Sequence, residues 1–410
     1  MSKRSGFTLL WAALGVIVVI GVVTSLAVRP AVAAHASHAF SIAADPDHCG
    51  AGWGTGSTTD APAGNTAPAR VDGGEQTFTI TNGTVAGIEV YLQAVDSKKV
   101  YVDVESLGAG AHATARVVLG SGRYRFVCLP ADADPVAGPS VTVGAAPASL
   151  ALTPGIVPVS RNDLIPVAKA YGAWVSSRIP VLRTQVQSLS DDVAEGDPAA
   201  AKTAWLAAHL TYETLGAAYG AFGRLDTAIN GTPAPGRTAL NDPHLTGFHR
   251  VEALLWSGAA AASVQQAVTG LAHSVAALGA AFTDAEVDPG AIGLRAHEIV
   301  ENAIQFELQG TTDAGSGTNI ATIGANLQGA SAALEPLDGI LAPRYANLAA
   351  TKAGLAQSQA LVQSLRRPDG SWPPVGSLTR AQRERLDASL GETAELLAPV
   401  AAICDVRREA

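Results

Sequence analysis

Three imidazole–carboxylate pairs stand at helical spacing in the second half of this 410-residue chain: His209 with Glu213, His249 with Glu252, and His297 with Glu301. Residues three or four apart on a helix share a face, so each pair offers one nitrogen and one oxygen donor on the same side. That donor mix suits a first-row cation such as iron, manganese or zinc, with copper also possible. Asp226, just after the second helix, adds another oxygen donor. One such pair alone reads more readily as a polar contact on a solvated face. Three pairs on three helices point instead to a cation site, because bundles build their metal centres from i,i+3 and i,i+4 pairs on facing helices.

The elements that must position these residues are helical. Asn162 or Asp163 opens a helix towards Asp191, with a bend expected near Pro180. Asp197-Pro198, with Asp as cap and Pro in the first helical position, opens the next, which carries Trp205, His209 and Glu213 towards Phe222. A long loop is expected over 226–243. Thr246 then caps a helix whose Phe248, Val251, Leu254 and Leu255 fall on one side. Further helices are predicted at about 262–282 and 289–309, and from about 318 to 365 with a break near Pro336 or Pro343. Thr379-Arg380-Ala381-Gln382 is a capping box opening a last helix that ends near Cys404. Residues 160–410 therefore read as an all-α helical bundle.

The first half has a different period. Gln76–Thr81 alternates and ends on the turn signal Asn82-Gly83. Gly87–Leu92, Val100–Val104, Ala115–Leu119, Tyr124–Cys128 and Val141–Val143 read as further short strands, which predicts a small antiparallel β-sandwich over 41–145, with 43–69 mostly loop. An Ala/Pro-rich linker, 146–159, joins it to the bundle. Gly122–Cys128 resembles a cupredoxin-like domain. A type 1 copper centre, however, needs a His and usually a Met soon after its Cys, and Cys128 is followed by Leu129-Pro130-Ala131-Asp132. The three cysteines are Cys49, Cys128 and Cys404; a Cys49–Cys128 disulfide is one pairing open to them, with Cys404 left over.

Lys3 and Arg4 precede an uncharged run from Ser5 to Val28, followed by Arg29-Pro30 and small residues to Ala34. Residues 1–40 thus read as a signal peptide or an N-terminal transmembrane anchor, with the body of the protein outside the cytoplasm. The formal net charge of −9 argues against a nucleic-acid partner and suits a protein that attracts cations.

Asp242-Pro243 followed by Thr246-Gly247-Phe248-His249-Arg250-Val251-Glu252 resembles the signature of the imelysin-like, HxxE-containing M75 proteins and, more closely, of the EfeO-type members of iron-uptake systems. Trp205–Glu213, Arg295–Asn302, Pro368-Asp369-Gly370 and Leu378-Thr379 fit as well, as does the order of export signal, cupredoxin-like domain and helical domain. The resemblance implies an extracytoplasmic protein, periplasmic or on the cell surface, that binds ferrous or ferric iron and passes it to a membrane permease, with a haem-dependent peroxidase as a further partner. It implies that Glu213, His249 and Glu252 contribute to the metal site; a non-enzymatic role is expected because the sequence offers no clear set of three zinc ligands with a general base. The chain departs from the family pattern at Asn319 and Thr322, where carboxylates are expected. Two other readings compete. His297-Glu298-Ile299-Val300-Glu301 resembles HExxH with its last His replaced, which would make the protein a metallopeptidase. Alternatively the sandwich and bundle serve a structural or adhesive envelope role, with the His–Glu pairs as ordinary polar contacts.

Overall fold

The computed structural model describes residues 38–408, apart from 46–47, 55–68, 132 and 284–285. The leader or anchor expected over 1–40 lies almost wholly outside the described residues, among which no helix is long and apolar enough to cross a membrane. Two compact units form: described residues up to 96 with 101–154, and 97–100 with residues from 155 onward. The first is built of strands and the second of helices.

The β unit contains β1 (His38–Ala44), β2 (Cys49–Ala51), β3 (Arg70–Val71), β4 (Gly74–Asn82), β5 (Ile88–Ala94), β6 (Val100–Leu107), β7 (His112–Leu119), β8 (Gly122–Pro130), β9 (Val136–Ala137) and β10 (Val141–Val143). One sheet runs β2-β1-β4-β7 and the other β3-β10-β8-β5-β6, with β9 on β8. Alternation decides what is buried. Along β4, Gln76, Phe78, Ile80 and Asn82 point inward while their neighbours are less covered. Trp53, Phe78 and Phe126 meet edge to face at centroid distances of 5.2–5.4 Å and fill the centre. A disulfide joins Cys49 on β2 to Cys128 on β8, one from each sheet and 79 residues apart.

The purely antiparallel arrangement expected from the sequence is not what forms. β1 lies parallel to β4 along its whole length, from His38 opposite Gln76 to Ala44 opposite Asn82, and β3 is parallel to β10. Parallel neighbours need a long crossover rather than a tight turn, and the chain between Ala44 and Gly74 supplies it. β1 also begins inside the segment read as leader, and β2 falls in the stretch read as loop.

The helical unit runs α1 (Arg161–Glu195), α2 (Pro198–Glu213), α3 (Tyr219–Phe222), α4 (Arg224–Asn230), α5 (Gly247–Ser257), α6 (Ala261–Ala281), α7 (Ala291–Asn302), a π-helical stretch (Ala303–Glu307), α8 (Asn319–Leu334), α9 (Asp338–Leu341), α10 (Leu348–Ser364) and α11 (Arg380–Cys404). Its core is chiefly Leu, Val, Ile and Ala around a few aromatics, among them Tyr171, Trp205, Tyr212 and Phe248. Ser160 caps α1 in a capping box with Asp163, two residues ahead of the expected start, and the helix continues through Pro180 to Glu195. Asp197 caps α2 and Thr379 caps α11 in the expected ways. The expected 318–365 helix is three helices, interrupted after Leu334 and again before Leu348, close to Pro336 and Pro343.

Closing the 79-residue loop restricts the unfolded chain. A Cys49→Ser/Cys128→Ser variant should therefore lower the stability of the β unit by about 2–5 kcal/mol and leave the helical unit's transition in place. Denaturant unfolding with and without reductant, followed by hydrogen exchange on each unit, measures this; equal protection of β4 and β8 in both forms would contradict it.

Candidate metal centre

Trp205, His209 and Glu213 recur every four residues and so line one stripe of α2. Trp205 stacks on His209 with centroids 4.8 Å apart, and its indole N–H donates to the Phe248 carbonyl at 3.0 Å. That bond crosses from α2 to α5. The start of α5 is set by Gly247, whose φ is +78°; a Cβ there would lie 2.1 Å from the Ile229 carbonyl oxygen. Only glycine allows this approach to α4. Thr246 occupies the N-cap position of α5 as expected, but its side chain makes no capping hydrogen bond: the hydroxyl donates instead to the Ala228 carbonyl at 3.0 Å, which tightens the same contact. Arg250 Nη1 donates to the carbonyls of Ala239 and Leu240, at 2.7 and 2.9 Å. Asp242 accepts from the backbone N–H groups of Ala234 and His244. The loop before α5 is thereby fixed by the charged residues of the motif, and His249 is brought to 5.8 Å, ring to ring, from His209.

Two buried His–Glu pairs result. His209 Nε2 lies 3.2 Å from Glu213 Oε1, and His249 Nδ1 lies 3.4 Å from Glu252 Oε2; all four residues are less than a tenth exposed. The first pair is close but poorly aligned, so neither ring nitrogen of His209 has a hydrogen-bond partner. Glu213 also accepts from the Asn230 amide (2.6 Å) and the Asn326 amide (2.8 Å). Glu252 Oε1 accepts from the backbone N–H groups of Ala314 (3.1 Å) and Ser316 (2.9 Å).

Beside this cluster a cavity of about 420 Å³ is lined by Glu213, His249, Asp226, Glu298, Glu307 and Asn326, among others. Asp226 accepts from the Tyr212 hydroxyl at 2.6 Å. Glu307 accepts from the Thr312 hydroxyl and the Asn319 amide, both at 2.7 Å. Asn319, where a carboxylate was expected, thus serves as a donor to a neighbouring carboxylate, and the Thr322 side chain is buried. His297 and Glu301 form their own pair at 3.6 Å, with Glu301 largely exposed, and neither lines the cavity. Glu298 on the same helix does, held by Arg295 Nη1 at 2.6 Å. Sequence reasoning missed Glu307, Asn230 and Asn326. The π-helical stretch, which adds a residue to its turn, brings both Phe306 and Glu307 to the cavity.

Burial opposes ionisation of Glu213, but the His209 imidazole and the two amides outweigh it and hold the carboxyl down at about 2. Burial likewise opposes ionisation of Glu252, and His249 with the Ser316 N–H brings it to about 2. Burial would lower His209, yet the charges of Glu213, Glu252 and Glu307 leave it raised. Asp226 and Glu307 are raised, first by burial and then by the Glu213 charge. The cluster therefore concentrates negative charge at Glu213 and keeps imidazole nitrogens beside it. Among the described residues no three His, Cys, Asp or Glu side chains converge closely enough to hold a metal ion between them.

The sign of the pH dependence follows. A carboxyl held at about 2 when folded and near 4.5 when unfolded adds stability above pH 4.5, which is lost as pH falls towards 2. His209, raised when folded, contributes in the opposite sense: its share is complete below its unfolded value and lost as pH rises through the folded one. Glu213→Gln should flatten the acid limb of a melting-temperature profile between pH 4.5 and 2. A profile parallel to that of the wild type would show that Glu213 is not an ionised buried carboxylate.

The sequence model of the imelysin family, peptidase M75, matches residues 167–400, more than half of the chain and nearly all of the helical unit. No curated protein matches the chain. The protein belongs to the imelysin family.

Proposed function

We propose that this protein is an extracytoplasmic iron-binding component of an EfeO-like uptake system, in which iron is cargo rather than a resident cofactor. The observation that carries this reading is His209. It is buried with neither ring nitrogen hydrogen-bonded, 3.2 Å from an ionised carboxylate and one ring away from a second imidazole. Leaving such groups unpaired in the interior costs free energy, and a cation held by Glu213 relieves it when it also takes the lone pair of His209 Nε2 beside that carboxylate. Glu213 and His249 supply oxygen and nitrogen from the cavity wall, and Glu307 and Asp226 stand by as further oxygens. The donor chemistry fits iron and also admits zinc or copper.

The cavity leaves room for water on the cation, which suits uptake and release better than permanent retention. The Cys49–Cys128 disulfide supports an oxidising compartment outside the cytoplasm, with the β unit as a cupredoxin-like partner domain. Cargo would pass from this site to a membrane permease, with a haem-dependent peroxidase as a further partner. Binding is favoured over peptide hydrolysis because the base that hydrolysis would use, Glu298, is paired with Arg295, while His297 and Glu301 lie off the cavity.

Calorimetric titration with Fe(II) under anaerobic conditions, and with Fe(III), Zn(II) and Cu(II), tests the reading. Iron should bind and raise the melting temperature, since a ligand at 100 times its Kd stabilises the folded state by about 2.7 kcal/mol. Glu213→Ala and His249→Ala should each abolish most of that gain. Wild-type iron affinity in both variants would sink the assignment, and no metal binding at all would favour a structural envelope role.

A further inference from the structure

Of the two residues that define the HxxE motif, only His249 lines the cavity; Glu252 does not. Glu252 is 2 % exposed, and both of its oxygens are occupied. Oε1 accepts two backbone N–H groups, from Ala314 and Ser316, and Oε2 faces His249 Nδ1. The loop it holds is also bound from within, since Asp313 Oδ1 accepts from the N–H groups of Gly315 and Gly317. Alternate backbone donors of 314–317 are thus shared between two carboxylates. A cation drawn to Glu252 would have to displace these bonds from a buried group that offers it no open side.

We infer that Glu252 is a positioning residue: its carboxylate, fixed by the 313–317 loop, holds His249 as the Nδ1–H tautomer and leaves Nε2 as the lone-pair donor available to the cavity. This rests on the proposed cation site, but its geometry stands apart from the identity of the cation. A carboxylate at Oε2 can only accept, so the neutral ring must carry its proton on Nδ1. A ring nitrogen bonded in this way fixes which of the two is free to ligate.

The amide isostere reverses the assignment. In Glu252→Gln the two backbone N–H groups demand the oxygen on their side, so the amide NH2 is turned to His249 Nδ1. Nδ1 must then accept, the proton moves to Nε2, and that nitrogen loses the lone pair it would offer a cation. No cavity-lining atom has been removed, yet cation binding should weaken by about 10–100-fold.

The test uses the full chain with 15N-labelled histidine, metal-free, at about pH 8, where an ordinary imidazole is neutral. His249 is identified by the signal lost in His249→Gln. Long-range 1H–15N spectra should show His249 protonated on Nδ1 in the wild type and in Glu213→Gln, and on Nε2 in Glu252→Gln. Co(II) serves as the metal probe: its absorption titration should weaken in Glu252→Gln. A wild-type His249 protonated on Nε2 overturns the inference without any variant having to fold. So does a Glu252→Gln protein that loses Co(II) affinity while keeping Nδ1–H, because Glu252 would then be a ligand itself. Should the wild type show the Nδ1–H tautomer but bind neither Co(II) nor iron, the cation reading fails and the tautomer assignment stands.

Discussion

Two carboxylates are kept ionised in the interior of a bundle whose core is mostly Leu, Val and Ala, and much of the helical unit is arranged around that constraint. A buried charge costs several kcal/mol unless hydrogen bonds and opposite charge offset it. For Glu213 the compensation arrives from three directions: an imidazole one turn back on α2, an amide at the end of α4 and an amide on α8. For Glu252 it comes from an imidazole on its own helix and from two peptide N–H groups of a loop more than 60 residues away. Each carboxylate is thus a point where distant segments are tied together. The site's charge and the fold's cohesion are the same set of contacts.

The close seating of α5 on α4 is the mechanical side of that arrangement. Gly247 removes the one side chain that would hold the helices apart, and Trp205 joins α2 to the α5 backbone from the other side. With these in place the two imidazoles cannot drift apart without breaking backbone contacts. In the proposed site the glycine, histidine and glutamate of the signature would have three separate duties: approach, donation and orientation.

Much of this was legible in the sequence, though unevenly. The change of period between the two halves was plain, because strand alternation and helical spacing are local properties. So were the His–Glu pairs, since residues three or four apart must share a face. Spacing alone does not say what that face looks at. His297 and Glu301 carry the same signal as His209 and Glu213, yet Glu301 faces solvent. Asn230 was hidden because α4 fell in a stretch whose Gly and Pro content reads as loop. β1 was hidden because its few apolar residues adjoin a far more apolar segment, and its parallel pairing is a long-range choice that no local pattern encodes.

The π-helical stretch at Ala303–Glu307 has a consequence for how such a site changes over evolutionary time. A π turn is an α turn with one residue inserted. Loss of a single codon within it would restore the ordinary period at almost the same total rotation, four α residues at about 100° each replacing five more loosely wound ones, so Glu307 would stay at the cavity. The chain therefore tolerates a one-residue length change at the edge of the cavity: the helix absorbs it locally, and Glu307, Glu213 and His249 keep their places.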